Sequence, residues 1–185
     1  MFAAGGSILL LQERRPIPAD RKLLAGVLVG LSLLTGCGGR LVDGVYRAAH
    51  DRYRVTAPPA PWVATSLDTD ELVFRHPVLQ ATIAVLSRCT NPEPGELPWV
   101  ARHLFFGLRE QQVKRQETES LDGVPAVRTR LRARLDGAPV AVEALTLRQG
   151  GCLYDFLYVA PPAVEAVGRP EFDTFVRSWI PGPTP

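Results

Sequence analysis

The chain has 185 residues, 46% of them hydrophobic and 22% charged, which is enough for a domain with a real core. Its 21 basic and 19 acidic residues leave a formal net charge of +2, and lysine occurs only at 22 and 114. So even a balance gives no support to a nucleic-acid partner and supplies no polybasic tail for anionic lipid.

Near the amino terminus the basic pair Arg21-Lys22 precedes an apolar run over 23–34. Small residues follow, and this order of positive, apolar and small segments is the layout of a secretory signal. The run is too short for an ordinary transmembrane helix. Its dozen residues span roughly 18 Å at ~1.5 Å each, against a hydrocarbon core of ~30 Å. Gly36, Gly38 and Gly39 would also break a helix at once. The run ends in Leu34-Thr35-Gly36-Cys37, which resembles the lipobox of bacterial lipoproteins. The resemblance implies cleavage between Gly36 and Cys37, diacylation of the Cys37 thiol and acylation of the new amine. Gly38, not Asp, follows the cysteine; by resemblance to the enterobacterial sorting rule, that implies the outer membrane, facing the periplasm. On this reading 1–36 is a signal peptide, and 37–52 is the lipidated cysteine with a tether. Removing 1–36 takes away four basic and two acidic residues, which leaves 17 of each.

Three glycines and scattered charge over 38–52 give little core-forming pattern, as expected of a tether. Residues 53–57 alternate as a strand until Pro58-Pro59 stops them, and Trp62 is expected as a core anchor laid over a sheet. Two further strands are expected at 71–76 and 81–89, separated at His76-Pro77. Prolines and Gly95 make 91–98 a loop. Leu97, Val100, Leu104 and Leu108 then recur at helical spacing and predict an amphipathic helix of about four turns.

Asp122-Gly123 and Asp136-Gly137 are hairpin signals, because both central positions of the tight turn accept positive φ. They join strands expected at 114–121, 125–135 and 138–148. The run 152–160 is apolar on both faces and predicts a central strand covered on both sides. Phe172, Phe175, Val176 and Trp179 give a last helix with one buried stripe. Sequential hairpins with two amphipathic helices predict an α+β domain over 53–181, its antiparallel sheet covered by helices.

The order of motifs resembles the PsbP-like superfamily, which includes PsbP, bacterial DcrB-type lipoproteins and the Ran-binding Mog proteins. The matching stretches are Tyr53 to Pro58 with Trp62, the Leu121-Asp-Gly-Val-Pro-Ala126 hairpin, the aromatic strand Tyr154 to Tyr158 with Ala160-Pro161, and the closing Phe172…Ser178 segment. The resemblance implies an α/β/α sandwich around an antiparallel sheet. It implies no enzyme and carries over no catalytic residue, metal or cofactor.

The residues themselves add the following expectations. His50, His76 and His103 fall in separate segments with no metal-ligand spacing, and no G-x-S-x-G stretch is present. Asp155 stands in an apolar strand, where an unpaired carboxylate is expensive, so it either lies near water or pairs with an arginine. Arg128, Arg130, Arg132 and Arg134 share one face of one strand, a stripe that could grip phosphate or carboxylate groups. With two-residue turns, Glu117 falls opposite Arg128 and Glu143 opposite Arg130, which would neutralise half of it and leave Arg132 and Arg134 without partners. Three cysteines are present. With Cys37 consumed by lipid, Cys89 and Cys152 either form a disulfide in an oxidising compartment or remain buried thiols, and the disulfide is the expected state. The functional expectation is an envelope lipoprotein, held to the membrane by its lipid. Its domain is an interaction or assembly module for an envelope protein or lipid partner. The alternative is a carrier for a small apolar or lipid-like ligand between sheet and helix.

Overall fold

The computed structural model describes residues 38–183 apart from 69, 91 and 93, so the 1–36 segment and Cys37 lie outside the described residues. The segment around 40–51, expected as a tether, is part of the domain. Strand β1 (Arg40–Val42) turns at Asp43-Gly44, both at positive φ, into β2 (Val45–Arg47). A 3-10 turn (Ala49–Asp51) leads on to β3 (Tyr53–Thr56). The reason is Tyr46, whose buried ring stands 5.8 Å from that of Tyr53 and whose hydroxyl donates to the Asp68 carbonyl at 3.0 Å. A short strand with one such anchor needs no long alternating pattern.

The next strands are β4 (Val63–Leu67), β5 (Glu71–His76) and β6 (Ala81–Arg88). Sequence pattern missed β4, a short edge strand with a register shift between Ala64 and Ser66. Trp62 is buried beside it, its ring edge-on to His76 at 5.1 Å. Helix α1 is shorter than its apolar spacing predicts and spans Leu97–His103. Beyond it Phe105, Phe106 and Leu108 close successive turns onto Arg102, His103 and Phe105, and Gly107 adopts φ 99°, so the chain has left the helix before β7 starts. Leu104 and Leu108 still pack on the same small cluster as Phe105, Leu131, Ala133, Val142 and Ala144, so the spacing reports burial but not helix length.

The second half of the chain is β7 (Arg109–Leu121), β8 (Val124–Leu135), β9 (Ala138–Gln149), β10 (Cys152–Ala160), α2 (Glu165–Arg177) and β11 (Ile180–Pro181). The Asp122-Gly123 and Asp136-Gly137 turns have positive φ at both positions, as two-residue hairpins require. The strands form a seven-stranded antiparallel sheet in the order β4-β5-β6-β10-β9-β8-β7 and a four-stranded sheet in the order β1-β2-β3-β11. Strand β10 is therefore the middle of the large sheet. Edge strand β7 is irregular, with register shifts between Arg109 and Gln112 and between Val113 and Arg115, a device that blunts edge-to-edge association.

Helix α2 and Trp179 cover one face of β10. Tyr154 and Phe156 meet Trp179 at ring separations of 5.3 and 6.0 Å, Phe175 touches Phe156 and Phe74 at 6.4 and 5.9 Å, and Phe172 stacks on Tyr158 at 5.7 Å. The fit is close enough that a Cβ on Gly168 would stand 2.7 Å from the Tyr158 hydroxyl. Cys89, just past β6, is bonded to Cys152, the first residue of β10, with Cα atoms 4.1 Å apart and a separation of 63 positions in sequence. Trp179→Ala removes the ring that spans Tyr154 and Phe156, and should cost ~3–5 kcal/mol in urea unfolding. Reducing the disulfide should lower stability by up to ~4 kcal/mol on the loop-entropy account, read as a lower urea midpoint with thiols titrating as two.

Candidate functional site

The arginine stripe lies on the α2 side of the large sheet, and the pairings of Glu117 with Arg128 and Glu143 with Arg130 across the strands are as expected. The side chains are partnered differently. Arg128 Nε and Nη2 donate to the two carboxylate oxygens of Glu119 at 2.9 and 3.0 Å, while Glu117 pairs with Arg115. Arg128 Nη1 donates to Glu143 Oε1 at 2.6 Å and to Asp173 Oδ1 of α2 at 3.1 Å. Glu143 is the hub, since its other oxygen lies 3.0 Å from both Arg130 Nε and Arg169 Nε.

Arg132 and Arg134 have partners, contrary to expectation. Arg132 pairs with Glu165 of α2, which also holds Arg169, and Arg134 Nε pairs with Glu110 at 3.0 Å. Glu165 comes from α2 and Glu110 from the bulged end of β7, places that strand register alone does not reach. Four arginines, at 128, 130, 132 and 169, thus face four acids, at 119, 143, 165 and 173. The stripe is a neutral brace between sheet and helix.

The Glu143 side chain is 3% exposed. Burial alone would raise its carboxyl pKa, but the Arg130 and Arg128 guanidiniums beside it outweigh that and hold it below the usual 4.5. Arg128 is pushed the other way: burial opposes its charge, and the Glu119 and Glu143 carboxylates more than restore it.

Asp155 sits on the opposite face of β10. It accepts from Thr146 Oγ1 at 2.7 Å and pairs with Arg88 Nη2 at 2.8 Å, which is the structural pairing expected of a buried carboxylate. The histidines stay apart. His50 lies in the 3-10 turn, His76 Nδ1 accepts from the Leu79 amide at 3.0 Å, and the His103 ring stands 3.9 Å from that of Trp99. Among the described residues no group of three or more His, Cys, Asp or Glu side chains could hold a metal, and no helix is long and apolar enough to cross a membrane.

The surface around α1 has a different character. Trp99 is 50% exposed and Phe106 95%, in a chain that buries most of its other aromatic rings. A cleft of about 340 Å³ on one side is lined by Leu86, Arg88, His103 and Leu104, and one of about 290 Å³ on the other by Phe105, Gln111, Val113 and Thr129. Both are open grooves that flank the helix. Nothing in the apolar spacing marked Phe106, because it follows the end of the helix and precedes Gly107.

No protein-family model matches the chain, and no curated protein matches it. Solved structures do. The cyanobacterial PsbP, CyanoP, of Synechocystis sp. PCC 6803 is 16% identical over 84% of this chain and 99% of its own, with a TM-score of 0.57. A point mutant of Mog1 is 10% identical over 79% and 97%, with a TM-score of 0.54. LpqN of Mycobacterium tuberculosis, described as involved in cell envelope biogenesis, is 14% identical over 68% and 80%, with a TM-score of 0.53.

Glu143→Gln would leave three guanidiniums short of one counter-charge, and should cost ~3–5 kcal/mol in urea unfolding at neutral pH. Because the folded carboxyl titrates below its unfolded value, its contribution is full above ~pH 4.3 and is lost as pH falls through the lower folded value. The gap in stability between the native chain and Glu143→Gln should therefore narrow as pH falls below ~4.3. An antiparallel sheet carrying one helix on each face, shared with CyanoP and Mog1 at 16% and 10% identity, gives this chain an α+β, PsbP-like fold.

Proposed function

We propose that this chain is an envelope lipoprotein, anchored through Cys37, whose domain acts as a non-catalytic interaction or assembly module. The observation that carries this reading is the use of the cysteines. Cys37 closes the lipobox-like stretch, and the other two are joined to each other. Structural disulfides are typical of exported proteins and rare in the cytosol, so the Cys89–Cys152 bond supports the same reading as the amino-terminal signal. Gly38 after Cys37 favours the outer membrane, with the domain facing the periplasm. The envelope role given for LpqN, which shares the fold, supports the same location.

The module reading is favoured over a carrier by how the core is filled. Tyr154, Phe156 and Tyr158 meet the aromatic rings of α2 and Trp179 directly, so the space between sheet and α2 is taken by side chains. A ligand pocket needs ~300–1,000 Å³ of concave volume, and the clefts beside α1 lie at the lower limit of that range and are open. Exposed Trp99 and Phe106 are instead the kind of aromatic surface that protein interfaces favour.

In a bacterial host, Cys37→Ala should lose all acyl label and accumulate as the longer precursor. Undiminished labelling would remove the anchor. Native purification with mass spectrometry separates the two roles: a stoichiometric envelope protein that is lost on Phe106→Ser supports the module, whereas a stoichiometric small lipid supports the carrier.

A further inference from the structure

The four-stranded sheet presents a second arginine row, and among the described residues it has no counter-charge. Arg40 on β1 is directly opposite Arg47 on β2, and Arg47 is directly opposite Arg54 on β3. Residues opposite one another in an antiparallel pair point to the same face. Their strand neighbours Leu41, Tyr46 and Val55 are turned inward, so the three arginines face outward, and all three are exposed. Among the described residues none of them carries an ion pair.

Like charges directly opposite on a sheet are destabilising. In the α2 brace every such charge is met by a carboxylate from the same chain, and here none is. The row does not stand alone. Val42, 53% exposed, lies beside it on the same face, and Ile180, 43% exposed, continues it as the partner of Arg54. Three guanidiniums flanked by exposed aliphatic side chains are complementary to a surface of phosphates over acyl chains.

The row also lies where such a surface would be. Arg40 is three positions after Cys37, so their Cα atoms are at most ~11 Å apart. A Cβ on Gly39 would stand 2.0 Å from the Tyr46 hydroxyl oxygen, so Gly39 lies against that buried side chain.

We infer that the outer face of the β1-β2-β3-β11 sheet lies flat on the anionic headgroups of the membrane that holds the chain, with Arg40, Arg47 and Arg54 on lipid phosphates. This rests on the anchored reading of Cys37. It adds an orientation: the large sheet and the Trp99 and Phe106 surface are held in a fixed attitude above the bilayer.

The test uses the full chain, purified with its native anchor and reconstituted into vesicles of phosphatidylcholine, with or without phosphatidylglycerol. Val42→Cys carries an environment-sensitive dye, and a lipid with a nitroxide on its headgroup is the quencher; a dye at Val113→Cys on β7 is the control. On anionic vesicles the dye at 42 should be quenched and the dye at 113 should not. Each arginine changed to Gln should lower the contact equilibrium about fivefold, and the triple Gln variant should behave as on neutral vesicles. The triple Lys variant, which keeps the charge, should retain quenching and shows that loss in the Gln variant is not misfolding. Equal quenching on neutral and anionic vesicles, equal quenching at 42 and 113, or no response to the triple Gln change would overturn the inference. Mass spectrometry of the amino-terminal peptide reads the anchor separately. An acylated Cys37 with charge-independent quenching keeps the anchor and sinks the row; an unacylated Cys37 with charge-dependent quenching does the reverse.

Discussion

Strand β10 has bulky apolar side chains on both faces, and a strand of that kind is stable only when both faces are removed from water. Tyr154, Phe156 and Tyr158 point to one side, Leu153, Leu157 and Val159 to the other, in the middle of seven strands. Much else follows from that demand. Helix α2 and Trp179 close one side with a run of aromatic contacts that continues through Tyr154 to Tyr53 and Tyr46. In this way the small sheet is tied to the large one. The other side gets only a seven-residue helix and the turns after it. The cover there is thin, which is why Leu157 and Val159 stay partly accessible and aromatic side chains stand out around α1.

The charges are arranged with the same economy on one face and without it on another. A buried ion pair is tolerated when both ions are well hydrogen-bonded, and removing one partner strands the other. Glu143 satisfies that condition by drawing guanidiniums from three places, β8 twice and α2 once. The result locks α2 to the sheet in one register, since Glu165, Arg169 and Asp173 follow helical spacing along the face they present. On the small sheet the same residue type is placed in cross-strand register with no ion-pair partner among the described residues. The two rows differ in partner, not in composition, and only the tertiary structure tells them apart.

Much of this fold was legible in the sequence because its signals are local. Asp-Gly turns, two-residue alternation and the Phe172–Trp179 spacing each depend on neighbours within one or two turns of chain, and β8, β9 and β10 lie where those patterns place them. The misses depend on distant neighbours. Asp43-Gly44 is the same hairpin signal as the two that were read, but its strands are three residues each and their stability comes from Tyr46 against Tyr53 and Asp68. Leu104 and Leu108 keep helical spacing because they fill one cluster, although the backbone between them has left the helix. Partners for Arg132 and Arg134 were invisible because Glu165 belongs to α2 and Glu110 lies beyond a register shift. The row at 40, 47 and 54 has even spacing in sequence, but that spacing means nothing until the hairpins between those positions are known.

The chain enters and leaves the domain on one small sheet. Arg40, Arg47, Arg54 and Ile180 are consecutive in register across β1, β2, β3 and β11, so the two ends are roughly 14 Å apart at ~4.8 Å per strand. Everything between them is an excursion that returns to its point of departure. Such a chain is close to a ring. Linking 183 to 40 with a few glycines and opening the exposed Asp136-Gly137 turn would give a circular permutant that keeps every strand pairing. The order in which the strands are synthesised is thus separable from the order in which they pack.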